Sequence, residues 1–186
     1  MDQAVAAPMA ARRLADAGAR VIKIERPEGD FARAYDKAVK GECTHFVWLN
    51  RGKESVVADL TRPDDKALVE AMLAKADVLL QNLKPGALEK LGLGVESLRK
   101  RFPKLICCSI SGYGEEGPYR DMKAYDLLVQ AETGLSEITG TPEGRARVGV
   151  SVCDISAGMT ALQAILQALY ARERTGEGRH IAVSLF

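Results

Sequence analysis

The sequence predicts an α/β fold, a Rossmann-like doubly wound parallel sheet, and three observations carry that expectation. Short β-branched or apolar runs alternate with helical patterns of about 10 to 16 residues. The run "KLICCSISGYG" is apolar on both faces, as a parallel strand covered by helices must be. The 186 residues are 47% hydrophobic and 27% charged, a balance that supports one core of ordinary size.

Each element follows from local pattern. Pro8 to Gly18 has apolar residues at helical spacing and a glycine stop, and "VIKIE" (Val21 to Glu25) is a strand bounded by the loop "RPEGD". Glu54 to Leu60 reads as a second strand. A helix over "TRPDDKALVEAMLAKA" follows, with Thr61 as cap and Pro63 in its first turn. Asp77 to Asn82 is a third strand, followed by a short helix in "KPGALEKLGLG" and another in "VESLRKRFP", stopped by Pro103. "KLICCSISGYG" is the fourth. Glu115 to Val148 is loop-rich except for a helical "YDLLVQAETGLSEIT". In "GVSVCDISAG" a strand-like run delivers Asp154 to a long apolar helix that ends at a glycine, and "RHIAVSLF" is a last strand cut off mid-pattern. The chain opens on a helix without the strand expected to feed it and stops before its pattern does, so a fragment is expected. In a doubly wound sheet ligands bind beyond the carboxyl ends of the strands, where Asn82 and Gly112 fall.

Lys and Arg total 26 against 25 Asp and Glu, a net charge of +1, so neither nucleic acid nor a membrane surface is an expected partner. Cys43, Cys107, Cys108 and Cys153 form no CxxC pair and have no histidine at metal-ligand spacing, which predicts buried, reduced thiols and no metal. The apolar stretch near the start is interrupted by Arg12, Arg13 and Asp16, unlike a signal peptide or a membrane span. Reduced cysteines without an export signal point to the cytoplasm.

Four places invite a functional reading, each with a plainer one beside it. "GYGEEG" (Gly112 to Gly117) is a literal GxGxxG, but Pro118 stands where a cofactor helix should begin and no acid follows at the ribose-binding distance; a glycine-shaped loop is the better reading. "QNLKPGALEKLG" sets Asn82 at a strand end before a helix start suited to phosphates, or is an ordinary turn. Arg26 could meet an anion, or be solvated. Asp154 could cap its helix or react. His45 and His180 have no nucleophile partner in the sequence, which argues against a Ser/His or Cys/His triad.

Six blocks in order, "GARVIKIERPEGD", "FVWLNRGKESVVADL", "ADVLLQNLKPGALEKLGLG", "LICCSISGYGEEGPY", "AYDLLVQAETGL" and "VGVSVCDISAG", resemble the family III CoA-transferases. The resemblance implies that residues 1–186 are the CoA-binding large domain, incomplete at both ends, with the family's second domain absent. It implies Asp154 as the nucleophile of an acyl-CoA:carboxylate CoA-transferase working through an aspartyl-CoA thioester. A CoA thioester is then substrate, and no cofactor is permanently bound. The implied CoA contacts are Arg26, Ala58, Asn82, Leu83, Ala87, Lys90, Leu91, Lys123 and Tyr125, and the implied assembly is an interlocked homodimer. The helix start beside Asp154 is expected to keep its carboxylate ionised. The related α-methylacyl-CoA racemases carry a His directly before the Asp of the "YD" pair. Tyr125 stands at that position here, which favours transfer over racemisation; an inactive CoA-binding fragment is the remaining alternative.

Overall fold

The computed structural model describes residues 1–186. Five parallel strands form two sheets. In the first, β1 (Val21–Glu25) pairs with β2 (Lys53–Val57), Val21 opposite Lys53. In the second, β4 (Ile106–Ser111) lies between β3 (Val78–Gln81) and β5 (His180–Ser184). Every residue of β4 is buried, which explains why its sequence is apolar on both faces.

Side-chain alternation along β3 and β4 divides the core in two. Leu79 and Cys107 face a cluster with Val69 and Leu73 of α3 (Pro63–Leu73), Leu88 of α4 (Ala87–Lys90) and Leu98 of α5 (Val95–Arg101). Leu80 and Cys108 face the other way, onto Ala6, Ala7, Ala10 and Ala11 of α1 (Ala6–Asp16) and Ala157, Ala161 and Ile165 of α8 (Val152–Thr175). The sheet is thus covered on both faces, as the alternating pattern requires. By length and composition α8 could cross a membrane; here it packs on α1, β4 and β5. Cys43, Cys107 and Cys108 are buried, Cys153 is partly so, and all four are free thiols.

Residues Met1–Gln3 run between the two sheets. The Met1 nitrogen donates to Leu80 O at 3.1 Å, and the Asn82 amide exchanges two hydrogen bonds with the Gln3 backbone, at 2.9 and 2.8 Å. Buried Asp2 accepts from Lys23 Nζ at 2.8 Å and Lys53 Nζ at 2.7 Å, and Lys23 also reaches buried Asp30 at 2.9 Å. Ala4, at a left-handed φ of 59°, then turns the chain into α1.

Several local expectations need correcting. Thr61 does not cap α3: its hydroxyl donates to Asp59 Oδ1 at 2.7 Å, Arg62 precedes the helix, and Asp64 and Asp65 supply the negative charge of the first turn. α2 (Thr44–Asn50) was not predicted; Asp36 initiates it by accepting from the Thr44 backbone and hydroxyl. The segment read as one helix over 125–139 is two, α6 (Asp126–Glu132) and α7 (Leu135–Thr139), separated by Gly134 at φ 77°. The strand expected before Asp154 does not form. Val148 N–H donates to the Gln130 side chain at 2.8 Å, so its ladder partner is an amide rather than a strand.

Candidate active site

Asp154 is the third residue of α8, in its first turn, and its side chain caps nothing. Its own backbone N–H donates to Asp126 Oδ1 at 3.0 Å, so the start of α8 is capped by a carboxylate from α6. Burial, and then the neighbouring Asp126, push the Asp154 carboxyl up to about 6. Burial and the like charge therefore outweigh the helix start, although a carboxyl near 6 is still mostly ionised at neutral pH. A helix end contributes about 0.3–1 kcal/mol at exposed sites, whereas desolvating a carboxylate beside a like charge is larger. Burial, with smaller contributions from Asp30, Asp154 and Tyr125, raises the Tyr35 phenol, so Tyr35 stands within electrostatic reach of all three. Tyr125, immediately before α6, is 62% exposed.

A second feature lies at the carboxyl ends of β1, β2 and β3. A cavity of about 340 Å³ is lined by Ile24, Arg26, Ala58, Leu60, Leu83 and Leu91, among others. It brings together four of the nine implied contacts, Arg26, Ala58, Leu83 and Leu91. Its wall combines apolar groups with five acids, Asp2, Glu25, Glu28, Asp30 and Asp59, and with the Arg26 guanidinium, whose Nε is tethered to Gly29 O at 3.3 Å and Glu28 at 3.7 Å. Ala87, Lys90, Lys123 and Tyr125 do not line it, and neither does Asn82, whose amide is occupied by Gln3. The helix start after Asn82 has the geometry of a tight turn. α4 is a single turn, and the Ala87 N–H already donates to Lys84 O at 3.0 Å.

Two side-chain groupings escaped the sequence. Asp36, Cys43 and His45 each bring a potential metal-ligating atom to within 4.8 Å of one another, a grouping their spacing did not suggest. The Asp36 carboxylate there already accepts from Ala38 N, Thr44 N, the Thr44 hydroxyl and the Cys43 thiol, so initiating α2 accounts for it. His180 Nε2 lies 3.1 Å from Ser109 Oγ, a partner the sequence hid, and 3.7 Å from Glu115. Both partners share one ring nitrogen, whereas a catalytic triad places base and acid on opposite ones. The glycine-rich loop serves packing: a Cβ on Gly112 would lie 2.2 Å from Ala124 Cβ, and Gly114 and Gly117 hold φ of 90° and 86°.

The family model for CoA-transferase family III matches residues 1–186. The chain belongs to that family. It is 45% identical over 190 residues to a succinate–glutarate CoA-transferase of Agrobacterium fabrum, covering 97% of this chain and 48% of that protein. To an acetyl-CoA:oxalate CoA-transferase of Acetobacter aceti it is 46% identical over 182 residues, covering 96% and 47%. Among solved structures, a CAIB/BAIF family protein from Brucella suis superposes with a TM-score of 0.94 at 39% identity, covering all of this chain and 51% of that one. Rv3272 from Mycobacterium tuberculosis gives a TM-score of 0.90 at 40% identity, covering 98% and 51%. This family III chain therefore spans about half the length of the curated relatives it matches.

Proposed function

We propose that the whole protein is an acyl-CoA:carboxylate CoA-transferase in which Asp154 is the nucleophile. The observation that carries this reading is a partly buried carboxylate at a helix start whose proton affinity is raised to about 6. At neutral pH such a group is still roughly nine-tenths ionised, yet it is more basic and less solvated than an ordinary aspartate, hence a better nucleophile. Asp154 attacks the thioester carbonyl, the C–S bond breaks, and a mixed anhydride and CoA thiolate result. The thiolate attacks the aspartyl carbonyl, releasing the donor acid and leaving an aspartyl-CoA thioester. The acceptor carboxylate then reverses both steps, so the thioester energy is kept and no proton need be carried.

In the cavity, Ala58, Leu83 and Leu91 offer apolar wall for a base, and the Arg26 guanidinium, among the acids Asp2, Glu25, Glu28, Asp30 and Asp59, is the group suited to a phosphate. The relatives named above act on small dicarboxylates, which supports a carboxylic acid as acceptor. Tyr125 supports transfer over racemisation, because a phenol is a poorer base for an α-proton than the imidazole that the racemases carry at that position. The proposed location is the cytoplasm and the proposed assembly a homodimer.

Asp154→Ala in the whole protein is expected to abolish transfer while acyl-CoA affinity changes by less than about threefold. Hydroxylamine should intercept the aspartyl-CoA thioester and leave a hydroxamate on the peptide containing Asp154, read by mass spectrometry. Undiminished turnover in the alanine variant, or a modified peptide elsewhere, overturns the assignment.

A further inference from the structure

Gln130 is a fully buried amide on α6 that the transfer chemistry does not use. Both of its ends are engaged. Its Oε1 accepts the Val148 N–H at 2.8 Å, while its Nε2 donates to Asp126 Oδ2 at 2.5 Å and faces Val148 O and Val150 O at 3.4 and 3.5 Å. The other Asp126 oxygen accepts the Asp154 N–H. One amide and one carboxylate thus tie three otherwise separate pieces of backbone together: α6, the loop at 148–150, and the first turn of α8. Ser151 precedes α8 and offers no side-chain cap, so this tie replaces the usual local one.

We propose that Gln130 is a positioning residue for Asp154, holding the Asp126 carboxylate in the one orientation that caps α8 and thereby fixing where the Asp154 carboxylate stands. A buried glutamine is held in place by its partners, because an amide stripped of them leaves unsatisfied groups in the core. An Asp126 carboxylate free to rotate would turn towards water, away from another anion. Gln130 prevents this by occupying its second oxygen. The titratable groups around Asp154 are Asp126 from α6, and Cys153 of its own helix and Tyr35 of the loop before α2, on both of which Asp154 itself acts. Of these, Asp126 is the one that raises the Asp154 carboxyl, after burial.

The inference rests on the reading of Asp154 as the reacting carboxylate, but its test does not require turnover. In the whole protein with ¹³C-carboxyl-labelled aspartate, the Asp154 resonance is identified by its loss in Asp154→Asn and titrated. The parent midpoint is expected near 6. Gln130→Leu, which keeps the volume and removes the bonds, should lower that midpoint by about half a unit or more, roughly a threefold change in proton affinity. Exchange of the Asp154 amide hydrogen should quicken about tenfold as its acceptor is released. Asp126→Asn, which removes the charge and leaves one acceptor oxygen for the two donors Asp154 N–H and Gln130 Nε2, should lower the midpoint. A folded Gln130→Leu protein with both readings at parental values overturns the proposal. Should that variant not fold, Asp126→Asn decides, and an unmoved midpoint overturns it equally. If the parent shows these responses but no transfer, the positioning role stands and the proposed activity does not.

Discussion

Asp154 and Asp2 are both withdrawn from water, yet their proton affinities move in opposite directions. Burial pushes each upward, but Asp2 has Lys53 and Lys23 beside it and is held well below the usual carboxylate range, whereas Asp154 has only another carboxylate. The consequences for stability have opposite signs. A carboxyl whose folded value is raised contributes stability that is complete below about pH 4 and is lost as pH rises through about 6. Asp154→Asn should therefore stabilise the protein at pH 7.5, by up to about 3 kcal/mol. It should leave stability unchanged near pH 4, as measured by urea unfolding at the two pH values. A gain equal at both would show that the effect is not ionic. The same titration should appear in catalysis as an acid limb near pH 6 in kcat/KM for transfer, since only the ionised form attacks.

At the scale of the element, α1 and α8 approach closely because small residues line both. Ala6, Ala7, Ala10 and Ala11 meet Ala157 and Ala161, and Gly158 sits where a Cβ would come within 2.6 Å of Ala6 O and 2.9 Å of Met9 Cβ. No rotamer relieves a clash with backbone, so Gly158→Ala must move one helix. We expect destabilisation of about 1–3 kcal/mol in denaturant unfolding. Because Gly158 lies one turn from Asp154, kcat should fall as well. A variant as stable as the parent would mean that the helices separate freely. Ala157 and Gly158 thus make room for α1.

Across the whole molecule, the two sheets are joined through Met1–Gln3 and the buried charges Asp2, Lys23, Lys53 and Asp30. Removing Lys23 leaves buried Asp30 without its cation and Asp2 with Lys53 alone. Lys23→Met should destabilise the protein by about 3–5 kcal/mol. Losing both partners together, in Lys23→Met with Asp30→Asn, should be milder than the sum of the two changes, as a double-mutant cycle would show. The surface also carries exposed large apolar side chains. Val57, Tyr125, Ile138 and Tyr170 are each more than 60% exposed, alongside Met159 and Leu166 on α8. The 186-residue chain alone is expected to self-associate at micromolar concentration, seen as a mass above that of a monomer in light scattering. A monodisperse monomer would contradict this.

The sequence by itself determined the strands and their covering helices, because a parallel strand buried on both faces must be written as an apolar run such as "ICCSIS". It also determined the position of Asp154 in the chain and the family, through six ordered blocks. Short-range pattern misplaced what long-range partners decide. Val148 and Val150 look like a strand, but their backbone is claimed by Gln130; Asn82 looks free, but is claimed by Gln3. Asp126 and Gln130 stand four apart on one helix face, a spacing compatible with their bond, yet nothing in that spacing says that the carboxylate's second oxygen meets Asp154. Burial and the company of other charges are properties of the packed chain. The proton affinity of Asp154 was therefore for tertiary structure to decide, through burial and the approach of Asp126.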